Sequence, residues 1–205
     1  MTDIVTSRLR LRRFRQTDAP ELARYRSDPD VARYQGWRSP IDAREAAAIV
    51  AGYRAERADE PGRFQYAVEV RGQRTLVGDI AVTRDDDCGP AEAELGITLA
   101  PGVRHRGYAT EAMSAVAHHL FATGVRRIGA VCHVHNTASA AMLGRVGFRQ
   151  WGRGRQYLGE RVGYADLLLF AMSYEQLHRA PWMRQDPPPL APCPGGLSPA
   201  REREA

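Results

Sequence analysis

The chain has no lysine, since all 29 of its lysine-plus-arginine residues are arginine. Any mechanism that needs a catalytic or self-modified lysine is therefore excluded. Cysteine is scarce too: Cys88, Cys132 and Cys193 stand far apart with no paired spacing. That pattern argues against a disulfide frame or a zinc site and for the reduced thiols of a cytoplasmic protein. No stretch approaches the ~20 apolar residues of a membrane span. The opening MTDIVTSRLRLRRFR has no apolar h-region, so no secretory signal is expected. The phosphate-binding patterns GxxxxGKS and GxGxxG are both missing, which excludes Walker-type and dinucleotide-type loops.

What is present is an ordinary globular composition over 205 residues, 43% apolar and 26% charged, enough for one substantial core. The formal net charge of +5 would suit nucleic acid. The arginines are scattered, however, and no aromatic-basic stripe interleaves them, so a nucleic-acid partner is not expected. Composition changes sharply after Leu177, where PWMRQDPPPLAPCPGGLSPAREREA holds seven of the thirteen prolines. The division expected is one domain over 1–179 and a flexible Pro-rich tail over 180–205.

Periodicity orders the elements. SRLRLRRF (7–14) alternates as an edge strand, and a short helix follows with Thr17 and Asp18 as caps. The loop SDPDVARYQGWRSP leads to a second helix after Pro40, with Ile41, Ala48, Ile49 and Tyr53 as its buried stripe. FQYAVEV (64–70), TLVGDIAVT (75–83) and EAELGITLA (92–100) read as an antiparallel meander, the polar run Asp85 to Asp87 lying in its second loop. Gly96 inside the third of these strands marks an expected bulge or a close backbone approach. A helix over about 110–123 separates this strand from RIGAVCHV (127–134), whose nearly continuous apolar run reads as a buried strand in parallel pairing. A capped helix from Asn136 to a stop at Gly147 and two final strands complete the domain.

Between the meander and the central helix lies APGVRHRGYATEA (100–112). A helix start carries unsatisfied N–H groups and about half a positive charge. Preceding loop amides can wrap a phosphate there, and Gly107 supplies the close approach that a Cβ would block. Arg104 and Arg106 add charge, so a diphosphate is the best-fitting anion.

The spacing Arg104-x-x-Gly107-x-Ala109 resembles the (Gln/Arg)-x-x-Gly-x-(Gly/Ala) signature of the GNAT N-acetyltransferases. Asn136-x-x-Ser139 followed by Gly147-Phe148 resembles a second segment of that family. The order of elements agrees over about residues 7–175. The opening SRLRLRRF, the run GYATEA and the closing YAD before LLLFAMS resemble the RimJ/RimL-like branch. This resemblance implies a mixed α/β (α+β) fold, with a mostly antiparallel sheet splayed between its fourth and fifth strands and flanked by helices. It implies an N-acetyltransferase that uses acetyl-coenzyme A, without a metal, on a primary amine. The acceptor would be a protein N-terminus or a small amine such as an antibiotic or polyamine, attacked directly in a ternary complex. A homodimer is compatible with it. Ile97, Thr98, Leu99, Arg104, His105, Arg106, Gly107, Tyr108, Ala109, Thr110, Asn136 and Ser139 would hold the cosubstrate. Relatives often carry glycine at the position of His105, which makes this loop stiffer.

The catalytic groups are less plainly written. Many relatives use a tyrosine acid seven residues after Asn136, where this chain has Leu143; a serine at the position of Ser139 takes the role in the branch it resembles. Ser139 reads equally as part of a helix cap. Glu92 and Glu94 share one side of their strand and are either bases for the ammonium or a solvent-facing or salt-bridged pair. His133 and His135 read as hydrogen-bonded side chains, with His135 a minor base candidate. Tyr34 and Trp37 would line the acceptor pocket or anchor its loop. A non-catalytic acyl-coenzyme A sensor is the alternative, since the tyrosine is missing.

Overall fold

The computed structural model describes residues 3–57, 60–84 and 91–178. Asp85 to Asp87, Cys88, Cys193 and the tail over 180–205 lie outside the described residues. Among the described residues eight strands form one sheet in the order β1-β2-β3-β4-β5-β6-β8-β7. They are β1 (Ile4–Val5), β2 (Leu9–Arg12), β3 (Gly62–Val70), β4 (Thr75–Arg84), β5 (Glu92–Leu99), β6 (Arg127–His133), β7 (Arg149–Tyr157) and β8 (Tyr164–Ser173). Every neighbouring pair is antiparallel except β5 and β6. The SRLRLRRF strand is not the sheet edge, because β1 pairs outside it.

Among the described residues six α-helices cover the two faces: α1 (Ala19–Arg26), α2 (Pro29–Ala32), α3 (Ala43–Ala55), α4 (Tyr108–Ala122), α5 (Thr137–Val146) and α6 (Tyr174–His178). Alternation along β3 decides which face each residue serves. Phe64, Tyr66, Val68 and Val70 join the main core with Met113, Val116 and Leu120 of α4 and Met142, Leu143 and Val146 of α5. Ala67 instead packs with Leu22 and Tyr25 of α1 and with Ala46 and Val50 of α3. The stripe of α3 is therefore Ala46 and Val50, with Ile49 and Tyr53 half-buried, whereas Ala48 is exposed.

Local chemistry sets the helix starts. Asp42 accepts from the Glu45 N–H while Glu45 accepts from the Asp42 N–H, a reciprocal cap that begins α3. Asp18 does not cap α1 with its side chain. Its carboxylate is buried, accepting from the Arg15 N–H at 2.7 Å and from both terminal nitrogens of Arg12. Arg12 also donates to Glu69 at 2.7 Å, so one buried guanidinium joins β2, β3 and the turn before α1. Gly147, with φ 112°, stops α5 in the left-handed conformation. Strand β6 alternates, burying Ile128, Ala130 and Cys132 on the main-core side, so it is not the two-face-buried strand its composition suggests. No helix of the described residues is long and apolar enough to cross a membrane.

Candidate active site

The parallel ladder between β5 and β6 has three rungs: Glu92–Arg127, Ala93–Ile128 and Glu94–Gly129. It ends there, although β5 stays paired to β4 as far as Leu99–Gly78, and β6 stays paired to β8 as far as His133–Leu167. The two strands thus diverge beyond Glu94, and the backbone groups of Ile97, Thr98 and Leu99 on the side toward β6 lack a strand partner. No bulge at Gly96 causes this. The β4–β5 ladder runs without a register shift through Ala81–Gly96, and the fork follows from where the β5–β6 pairing stops.

The fork opens toward the start of α4. Gly107 is the residue before that helix and takes φ 78°, with no side chain capping the helix. His105 is also left-handed, φ 61°, a conformation that costs a histidine free energy and a glycine none. This is where the relatives' glycine would fit, in the loop just before the uncapped start of α4. A Cβ added to Gly107 would press only on the Arg8 guanidinium, at 3.3 Å. Arg8 donates to the Arg106 carbonyl at 2.8 Å, pairs with Glu111 at 2.6 Å and lies 4.8 Å from the Tyr108 ring centroid. The cradle is therefore strapped to the N-terminal strand. Burial works against the charge on Glu111, but donors on Thr6, Arg8 and Ser7 hold its pKa below the usual range. Local pattern marks Arg8 only as part of SRL.

On the other side of the fork, Asn136 caps α5 by accepting from the Ser139 N–H at 3.1 Å. The cap uses the amide of Ser139, which leaves its hydroxyl for another partner. That hydroxyl bonds the buried thiol of Cys132, whose pKa burial raises and this bond lowers. Leu143 is 2% exposed within the main core, away from any open space.

The two carboxylates part company. Glu92 sits at the closed end and pairs with Arg127 at 3.6 Å. Glu94 stands on the last rung before the divergence, half-buried, and burial pushes its pKa up to about 7 against the opposing pull of Arg63. Arg63, Thr83 and Glu94 form one row across β3, β4 and β5. A carboxyl that titrates near neutrality suits general-base work.

The loop after α2 crosses this face. Tyr34 donates to the His135 carbonyl at 3.2 Å, and its ring lies 5.0 Å from that of His133. The His133 and His135 rings are 5.3 Å apart, and burial and His135 hold His133 below the usual range. Among the described residues no group of three or more His, Cys, Asp or Glu could hold a metal. Trp37 packs into the helical core, with Arg26 4.4 Å from its ring centroid. Its carbonyl accepts from Arg161 at 3.1 Å, and the same guanidinium donates to the carbonyls of Ala32 and Gln35. Arg161 thereby ties this loop to the β7–β8 turn. Gly36 is needed for that contact, because a Cβ there would collide with the Leu158 carbonyl. Arg161 lies more than a hundred residues away from this loop along the chain.

Residues 8–149 match the family described as the acetyltransferase (GNAT) domain. The chain is 31% identical over 157 residues to the uncharacterized N-acetyltransferase YoaA of Bacillus subtilis, covering 75% of this chain and 86% of that protein. Among solved structures it resembles a GNAT-family acetyltransferase from Bacillus anthracis, with TM-score 0.75 and 24% identity over 85% of this chain and 99% of that one. It also resembles Mycobacterium smegmatis RimJ in complex with CoA-disulfide, with TM-score 0.70 and 28% identity over 84% and 85% of the two chains.

Proposed function

We propose that this chain, which belongs to the acetyltransferase (GNAT) family and is an acetyl-transferring enzyme, uses acetyl-coenzyme A to acylate a primary amine by direct attack in a ternary complex. The observation that carries this reading is the fork, with a neutral-range carboxyl on the last rung before it opens and an uncapped, glycine-led helix at its mouth. In keeping with it, the similar RimJ structure holds a coenzyme A disulfide. We place the chain near the RimJ/RimL-like branch and in the cytoplasm.

The cosubstrate would supply a thioester. The amides of His105 to Thr110, with Arg104 and Arg106, would hold its diphosphate by hydrogen bonds and helix-end charge. The free edge of Ile97 to Leu99 would take its amide-bearing arm as an added strand and point N–H donors at the thioester carbonyl oxygen. Asn136 would fix the opposite wall. Glu94, rather than the ion-paired Glu92, would accept the ammonium proton, directly or through water. Ser139 would deliver a proton to the leaving sulfur. Tyr34 would border the acceptor, which is a protein N-terminus or a small-molecule amine. A non-catalytic sensor is not favoured: it has no use for a carboxyl poised near neutrality on the last rung. The test is a screen of primary amines with acetyl-coenzyme A that follows free thiol, since a sensor binds coenzyme A and releases none.

A further inference from the structure

Strands β7 and β8 carry a second feature that the reaction does not use. Cross-strand pairs Arg155–Asp166 and Tyr157–Tyr164 are two residues apart, so they share one face, together with Arg153 two residues further along. Tyr157 and Tyr164 are 43% and 68% exposed, and with Val5 they are the exposed large apolar side chains among the described residues. Their rings meet edge to face at 5.4 Å, and the Arg155 guanidinium lies 5.8 Å from the Tyr164 centroid. Beside them is a pocket of about 580 Å³ lined by His135, Arg153, Arg155 and Asp166.

The charge in that pocket is available. Arg155 faces Asp166 at 3.9 Å with both side chains about 70% exposed, a pairing worth little in water. The Arg153 side chain has no hydrogen-bond or ion-pair partner among the described residues. Two guanidiniums against one carboxylate leave a net positive pocket whose forked donors match carboxylate or phosphate. The pocket also adjoins the loop that carries Tyr34. The rings of Tyr34, His133 and His135 form a continuous row from the acceptor loop to the pocket wall.

We propose that this pocket is a subsite for an anionic group, carboxylate or phosphate, carried by the acceptor amine itself and held by Arg153 and Arg155. The inference rests on the acetyltransferase reading and narrows its substrate class to amines that bear an anion at a distance from the nitrogen. The exposed Tyr157 and Tyr164 would cover the intervening part of the acceptor.

Three tripeptide probes test it: trialanine with a free carboxylate, trialaninamide, and the same amide with phosphoserine in third place. Binding to the full chain loaded with coenzyme A is read by calorimetry, and acetylation by thiol release. The wild type should prefer an anionic probe over trialaninamide by about tenfold or more in Kd, as charge-assisted forked hydrogen bonds allow. The carboxylate and phosphoserine arms show which anion it takes. Arg153→Gln with Arg155→Gln should bring that ratio to near one, while Arg153→Lys with Arg155→Lys retains part of it. Equal binding of all three probes, or a preference that survives the glutamine pair, overturns the subsite. An anion preference without any acetylation would keep the subsite and count against the transferase reading. Weakened binding of coenzyme A itself in the glutamine pair, with the tripeptide ratio intact, would assign the pocket to the cosubstrate and overturn the proposal.

Discussion

Glu94 stands opposite Gly129 on the last rung of the parallel β5–β6 ladder, so the half-buried carboxyl on β5 sits at the point where the sheet opens. Gly129 brings no side chain to cover it. Burial favours the neutral carboxyl, and Arg63 in the same row partly opposes this. As a base, Glu94 should make kcat/KM rise with pH through about 7. Glu94→Gln should lower turnover about 10²-fold and remove that limb. A rate profile that keeps the limb in the variant would assign it elsewhere.

The same carboxyl predicts a stability effect of defined sign. A pKa raised on folding gives stability that is complete below the ordinary carboxylate value and is lost as pH rises through about 7. Glu94→Gln should therefore melt higher than wild type at pH 8, by on the order of 1–2 kcal/mol after allowance for its partial exposure, with no gain near pH 4. Melting curves at the two pH values check this. Glu56, also raised to about 7 by burial, should add to the decline of the wild type over the same range.

Gly107→Val should weaken coenzyme A binding strongly. A branched residue resists φ 78° and would push on the Arg8 guanidinium that straps the loop. Arg104→Ala should cost only about 1 kcal/mol, because backbone donors do most of the holding. His105→Gly should relieve the strained φ and leave the fold intact. Calorimetry with coenzyme A on the folded variants reads all three, and wild-type affinity in Gly107→Val contradicts the cradle.

Ser139→Ala should lower single-turnover rates about 10²-fold while melting close to wild type, because the cap belongs to the Asn136 side chain. Asn136→Ala should do the reverse in stability, costing about 1 kcal/mol. Leu143→Tyr should not rescue turnover. The position is closed inside the main core, where a larger side chain costs about 1–3 kcal/mol. Full turnover in Ser139→Ala would remove the serine from the reaction.

The sequence made legible what depends on near neighbours. Alternation placed β2 to β5, helical period placed α1, α3, α4 and α5, and the spacing Arg104-x-x-Gly107-x-Ala109 located the uncapped helix start. Elements of two and four residues, β1 and α2, were too short to carry a period. Gly96 reads as a bulge because an internal glycine is visible in one strand, whereas the fork is the end of a ladder and depends on two strands. Glu92 and Glu94 looked equivalent for the same reason: only the register with β6 gives one an arginine and the other a glycine. Asp18 read as a cap because its buried partner Arg12 lies on another element. Arg161 and the Arg153–Arg155 face act over more than a hundred residues or across strands, and local pattern carries no trace of them.

The most direct measurement is the initial rate of thiol release from acetyl-coenzyme A as both acetyl-coenzyme A and a primary amine are varied. Direct attack in a ternary complex predicts release that depends on the amine and double-reciprocal lines that intersect. Parallel lines with a trapped acetyl-enzyme, or release that no primary amine accelerates, would contradict the account.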